Sequence, residues 1–236
     1  MAAAFARGWA GELELMLFSD SGSGRARELA DELGGEVAAN EEIASQADLV
    51  LLAVKPNKLD DVAPALAAAK EVVSVLAATP LERLRAALPN AEQVLRVMPN
   101  MGVEVRQGVL CVAGSASVRG REKLELLGHV VELAEEDFDA ATAVMGCSPA
   151  YLALAVEAIA DAGAADGLPP ALARELVVET AVGTAELLRH HNPVAVRKAV
   201  ASPGGSTEKG LEALDREGAR EAFAAAVQAS LEKMRG

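Results

Sequence analysis

Six residues in a row could do chemistry together: Ser202-Pro203-Gly204-Gly205-Ser206-Thr207. Pro203 fixes its own φ and lacks a backbone donor. Gly204 and Gly205 have no Cβ, so the chain can turn sharply and a ligand can press on bare backbone. Ser206 and Thr207 add two hydroxyls at the start of a helical run containing Leu211, Leu214 and Phe223. Free N–H groups and the dipole at a helix start favour an anion such as a carboxylate. The spacing therefore describes a small polar cup for an acid-bearing substrate. A plain loop with a Ser/Thr helix cap is the alternative, and Glu208 would compete for the same dipole.

Three further stretches carry loop chemistry where strands end: Ser19-Asp20-Ser21, Val54-Lys55-Pro56 and Met98-Pro99-Asn100. A nucleotide-binding α/β domain holds its ligand at the carboxyl ends of its strands. Asp20 stands where an acid would take a ribose hydroxyl. Arg25 and Arg27 could instead meet a 2′-phosphate, so NADP and NAD both remain open. The fingerprint GxGxxG after a first strand is absent. Cys147, in Gly146-Cys147-Ser148-Pro149-Ala150-Tyr151, has no His near it in sequence and reads as a packing residue, with Ser148 as cap and Pro149 as first helical residue. His129, His190 and His191 have no metal-ligand spacing, so no metal is expected.

The elements that must position these residues alternate over the first part of the chain. The chain opens in a helix, then gives strands near 14–19, 36–38, 48–54, 72–76, 93–98, 108–113 and 129–133. Helices are expected at 25–33, 59–70, 81–88 and 119–127, with a helical turn starting at Asn40. The near-continuous apolar run Asp48-Leu49-Val50-Leu51-Leu52-Ala53-Val54 suits a sheet covered on both faces. Alternating strands and helices imply α/β with a parallel sheet. From Asp139 on, only helices are expected: 150–165, 170–188, 193–200, 207–216 and 220–234. The acidic run Glu135-Glu136-Asp137 marks the change, so the domains are expected at 1–137 and 138–236.

The 236 residues are 51% hydrophobic but only 3% aromatic, so Ala, Val and Leu must pack the core. A net charge of −13 would repel nucleic acid and anionic membrane surfaces. Two cysteines without CxxC spacing suit a reducing, cytoplasmic setting. No apolar run of membrane-spanning length is expected. Ala and Val on several faces of the late helices call for a homodimer at least.

Taken together, Ala53-Val54-Lys55-Pro56, Arg96-Val97-Met98-Pro99-Asn100, the stretch 146–151 and the loop 202–207 resemble the pyrroline-5-carboxylate reductase family. Gly167-Leu168, Glu179-Thr180 and Gly183 fit its helical domain too. The resemblance implies a Rossmann-like first domain, an all-α dimerisation domain, and dimers that can build into a decamer. It implies reduction of a cyclic imino acid to L-proline with NADPH or NADH. Residue by residue, it places Ser202, Gly205, Ser206 and Thr207 on the substrate, with the Thr207 hydroxyl on the imine nitrogen. Asn40, Ala53, Val54, Lys55 and Pro56 would line the cofactor site, with Asp20 and Ser21 beside it.

The sequence departs from the family in four places. The family's first strand and its G-x-G-N-M loop are missing, because Met1 aligns with the Met of that loop. The expectation is a natural start further upstream, with a degenerate, non-catalytic oligomeric relative as the rival. Ala78 stands where the family usually has Gly in a cofactor-side loop. Met101-Gly102 replaces Thr-Pro, and His191-Asn192-Pro193 replaces Glu-His-Pro.

Overall fold

The structure, a computed structural model, describes residues 1–235. The chain forms two compact units, Met1–Gly146 and Cys147–Met234.

The first unit opens with α1 (Ala2–Trp9), β1 (Leu17–Phe18), α2 (Arg25–Leu33), β2 (Glu36–Val37), α3 (Asn40–Gln46) and β3 (Val50–Leu52). Then come α4 (Leu59–Val62), β4 (Glu71–Ser74), α5 (Leu81–Ala87), β5 (Gln93–Pro99), β6 (Gly108–Gly114), α6 (Val118–Glu125), β7 (Gly128–Glu132) and α7 (Phe138–Ala141). Five strands form one sheet in the order β3-β4-β5-β6-β7. Its residues alternate between two apolar layers. Val50, Leu52, Val72 and Val94 pack with Leu59, Leu66, Leu84 and Leu88 on one face. Val73, Leu95, Val97, Leu110 and Val112 pack with Phe5, Trp9, Leu124 and Leu127 on the other. Strands apolar on both sides are what such double cover requires.

Two expectations need correction. The sheet is not wholly parallel: β3, β4 and β5 are, but β5 and β6 are antiparallel. Only a short turn, with the 3-10 segment Met101–Val105, joins β5 to β6, and a parallel return needs a crossover of a dozen or more residues. The helix expected over 59–70 is broken into 3-10, α and 3-10 pieces, Pro56–Lys58, Leu59–Val62 and Ala63–Leu66. Pro64 cannot donate a helical hydrogen bond and its ring clashes with the preceding turn. The strands also fall into two sheets. β1 pairs only with β2, apart from the five strands, so neither β1 nor β3 has a second strand neighbour among the described residues.

Ala78, in the turn after β4, has φ 49°, left-handed backbone that a side chain disfavours. Ala78→Gly should therefore stabilise. It relieves about 1–2 kcal/mol of steric cost, offset in part by about 0.5–1 kcal/mol of added unfolded-state entropy. A thermal midpoint a few degrees above the parent is expected, read by circular dichroism; a lower one refutes the strain.

The second unit holds α8 (Ser148–Ala165), α9 (Pro170–His190), α10 (Pro193–Val200), α11 (Ser206–Arg216) and α12 (Ala219–Arg235). Ser148 is itself helical, so Cys147 takes the cap position expected of Ser148 and Pro149 sits one residue further in. Asn192 caps α10 by accepting from the Val194 N–H at 2.8 Å, with Pro193 in the first turn. The Tyr151 hydroxyl pins α12 to α8, with Ser230 Oγ at 2.6 Å and the Ala226 carbonyl as acceptor. Few residues are buried within the unit, and Leu152, Leu154, Ile159 and Val182 are each at least 60% exposed. The expectation that no run reaches membrane-spanning length is also corrected. Helical backbone continues from Glu135 through a π turn, Thr142–Gly146, into α8, and Glu135–Ala165 is long and apolar enough by length and composition.

Candidate functional site

Parallel register levels Leu52 of β3 with Ser74 of β4 and Arg96 of β5. The turns that follow these strands therefore lie along one carboxyl edge of the sheet. They carry Ala53-Val54-Lys55-Pro56, Ala77-Ala78-Thr79 and, after Met98-Pro99 at the end of β5, Asn100. Ala53 and Val54 are half-buried, while Lys55 and Pro56 are exposed. Pro56 opens the 3-10 turn and the Lys55 carbonyl accepts from the Lys58 N–H at 2.8 Å. Thr79 is buried and its hydroxyl donates to the Ala77 carbonyl at 3.0 Å, closing the turn after β4.

The loop after β1 is organised by Asp20. Its carboxylate accepts from the N–H groups of Gly22 (2.6 Å), Ser23 (3.1 Å) and Ala26 (2.8 Å) and from the Ser23 hydroxyl (3.0 Å). These donors, the Ala26 N–H first, hold the carboxyl below its ordinary value. The structure thus revises the reading of Asp20 as a free ribose acceptor, because its lone pairs are filled by its own loop. Ser21 stays exposed beside it. Asn40 is the first residue of α3, after β2, and is half-buried.

The pieces suit an anionic dinucleotide. Many basic groups in this acidic chain are paired, among them Arg7, Arg83, Arg106 and Arg121. Lys55, in the turn after β3, and Arg25 and Arg27, in the first turn of α2, have no ion-pair partner among the described residues. They are the donor set that a pyrophosphate or 2′-phosphate asks for.

In the helical unit, the 202–207 stretch is a tight turn leading into α11. Gly204 has φ 73°, which favours glycine. The Gly205 N–H donates to the Ser202 carbonyl at 2.9 Å, and the Gly204 N–H to Glu208 Oε2 at 2.7 Å. Glu208 does claim one donor of the cup, as its charge suggested. What remains is the first turn itself. The N–H groups of Ser206, Thr207 and Glu208 have no backbone acceptor among the described residues, as at any helix start. Ser202, Ser206 and Thr207 are exposed, Gly205 half-buried.

Cys111 is buried in β6, where burial pushes its thiol up; Cys147 is half-buried at the start of α8. His129 lies in β7 and His190 ends α9 beside Glu186.

One cluster escaped the sequence reading. Arg96 is buried in β5, ion-paired with Glu135 and lying 4.3 Å over the Phe138 ring. The available signal was a lone charge inside the apolar strand Val94-Leu95-Arg96-Val97-Met98.

A sheet with helices on both faces and nucleotide-ready turns on its carboxyl edge, joined to a helical unit with exposed apolar faces, is a two-domain NAD(P)-dependent oxidoreductase. Residues 1–78 match the family profile described as NADP oxidoreductase coenzyme F420-dependent, and residues 135–236 match that of pyrroline-5-carboxylate reductase dimerisation. The pyrroline-5-carboxylate reductase of Synechocystis sp. is 38% identical over 81% of this chain and 75% of its own length. That of Thermus thermophilus is 36% identical over 87% and 81%. The crystal structure of 1-pyrroline-5-carboxylate reductase from Streptococcus pyogenes superposes with a TM-score of 0.85 at 31% identity, covering 99% of this chain and 94% of that one. The Plasmodium falciparum enzyme, solved with NADP bound, gives 0.81 at 25% identity, covering 98% and 92%. The chain belongs to the pyrroline-5-carboxylate reductase family, and its helical unit is that family's dimerisation domain.

Proposed function

We propose that the protein reduces 1-pyrroline-5-carboxylate to L-proline in the cytoplasm, with NADPH or NADH, as a homodimer able to assemble further into a decamer. The observation that carries this reading is the 202–207 turn: a helix start with free N–H groups and exposed hydroxyls, in a chain of this family. The substrate carries one carboxylate and one imine nitrogen. The first-turn N–H groups and the Ser202 and Ser206 hydroxyls hold the carboxylate, favoured by the helix dipole. Gly205 keeps the backbone close to the ring. The Thr207 hydroxyl donates a hydrogen bond to the imine nitrogen, which draws electron density from the adjacent carbon and makes it electrophilic.

When bound, the dinucleotide supplies the hydride. Lys55, the Ala53-Val54-Pro56 turn, Asn40, Ser21 and the loop shaped by Asp20 are the residues that would hold it. No strong acid or nucleophile is needed, because the protein's share is alignment and electrostatics. The exposed apolar faces of α8 and α9 are what the partner protomer covers.

The test is nicotinamide oxidation followed by absorbance when the imine is added to the purified protein with NADPH or NADH. Imine-dependent oxidation with proline as product is expected. Tight cofactor binding without it would sink the substrate assignment. Light scattering checks the assembly, where a monomer at micromolar concentration is the adverse result.

A further inference from the structure

The stretch where the chain passes from one unit to the other is tied at both ends to β5 and the residue that follows it. Arg96 lies in β5 and Asn100 is the first residue beyond it, still extended, so the two side chains leave the same face about 13 Å apart. Arg96 Nη1 donates to Glu135 Oε1. Asn100 Nδ2 donates to the Met145 carbonyl at 3.3 Å. Between these anchors run a 3-10 turn, α7 and the π turn Thr142–Gly146. π turns leave backbone groups out of the regular ladder and recur at functional sites; the Met145 carbonyl, inside this one, takes its partner from Asn100 just past the end of β5.

Each anchor does a second job. Glu135 Oε1 also accepts from the Leu81 N–H at 3.0 Å, which fastens the turn bearing the left-handed Ala78. Asn100 Oδ1 accepts from the N–H groups of Gly102 (3.1 Å) and Val109 (3.2 Å), which fixes the exit of β5. The pair joins a buried Arg96 to a half-buried Glu135 and is a poor source of stability. Arg96 Nε and Glu135 Oε2 are buried with no partner, and such pairs often do no better than apolar replacements. A fork-shaped cation clamped by a carboxylate and an aromatic face is, however, a good locator.

We infer that Arg96 and Asn100 are positioning residues for hydride transfer, which rests on the reductase reading above. Acting through Glu135 and Met145, they hold the segment 135–146 and the turn 77–81 in one arrangement at the carboxyl edge of β4 and β5. Neither touches substrate.

The test compares Arg96→Met, Arg96→Lys and Asn100→Asp with the parent enzyme. Asn100→Asp keeps the acceptor for Gly102 and Val109 and loses only the donor to Met145, so it reports even if Arg96→Met fails to fold. Amide exchange by mass spectrometry in 135–146 should quicken about tenfold or more in Arg96→Met and Asn100→Asp. In the same variants kcat should fall about tenfold or more, with KM for the imine and NADPH affinity within about threefold of the parent. Arg96→Lys, which keeps a charge for Glu135, should fall between Arg96→Met and the parent. Unchanged exchange, or quickened exchange with unchanged kcat, overturns the inference. A parent that binds NADPH yet leaves the imine untouched refutes the reductase reading instead, and the tether then fails only if exchange in 135–146 is unchanged.

Discussion

Thr207→Ala is expected to lower kcat/KM for the imine by about 10²- to 10³-fold, or about 3–4 kcal/mol of transition-state stabilisation, the usual loss for one aimed donor. The fold should not notice. Thr207 is the second residue of α11, exposed, and its hydroxyl bonds to nothing else among the described residues. Its removal orphans no buried group, so the change in stability should stay within about 0.5 kcal/mol. Hydrogen bonding to the nitrogen matters most as negative charge builds there, so the loss should fall on kcat more than on KM. Thr207→Ser keeps the donor and should recover most of the rate, whereas Ser206→Ala should chiefly raise KM by loosening the carboxylate. Steady-state kinetics on the four proteins, with thermal midpoints beside them, decide it. A Thr207→Ala enzyme as fast as the parent would end the assignment.

Much of the architecture was legible because local signals and global fold agree. The bounds of α2 and α10 fall where the sequence puts them: Gly34 stops the one, and Asn192-Pro193 starts the other. β3, β4 and β5 show as apolar runs because both faces of the sheet are covered. What was hidden depends on partners distant in sequence. The direction of β6 follows from how few residues return the chain from β5. The break at Pro64 wins over an otherwise helical pattern. The π turn carries no composition signal of its own, so α8 looked separate from what precedes it.

The candidate site divides in the same way. The cup at 202–207 could be read from glycine, proline and hydroxyl spacing, down to the competition from Glu208. The role of Asp20 could not. An acid after a strand looks alike whether it faces a ribose or caps its own loop, and only the four donors around it tell. Arg96 and Glu135 are 39 residues apart in sequence, and their pairing appears only once β5 and the 135–146 segment are built.

Gly8→Ala should destabilise the protein by about 3 kcal/mol, although in an exposed helix the same change would stabilise by about 0.5–1 kcal/mol. A Cβ on Gly8 would stand 2.2 Å from the Val103 carbonyl oxygen and 2.6 Å from Leu127 Cδ2. The oxygen is backbone and cannot swing aside, so α1 must shift. That helix has little freedom to move. Phe5 and Trp9 are buried edge to face, 5.2 Å between centroids, and the Trp9 indole N–H donates to the Lys123 carbonyl at 2.7 Å. Arg106 grips its far end through the carbonyls of Gly8 (2.8 Å) and Ala10 (2.7 Å). For a chain this long, about 3 kcal/mol corresponds to a midpoint lower by roughly 5–10 °C. The displaced turn, Met101–Val105, is the one whose start is capped by Asn100. A push on Val103 therefore reaches the strand end that also holds Met145, and exchange in 135–146 should quicken along with the drop in midpoint. An unchanged midpoint would mean that α1 and this turn are not packed as closely as these distances say. A lower midpoint with exchange in 135–146 unaltered would mean that Asn100 holds its two neighbours independently.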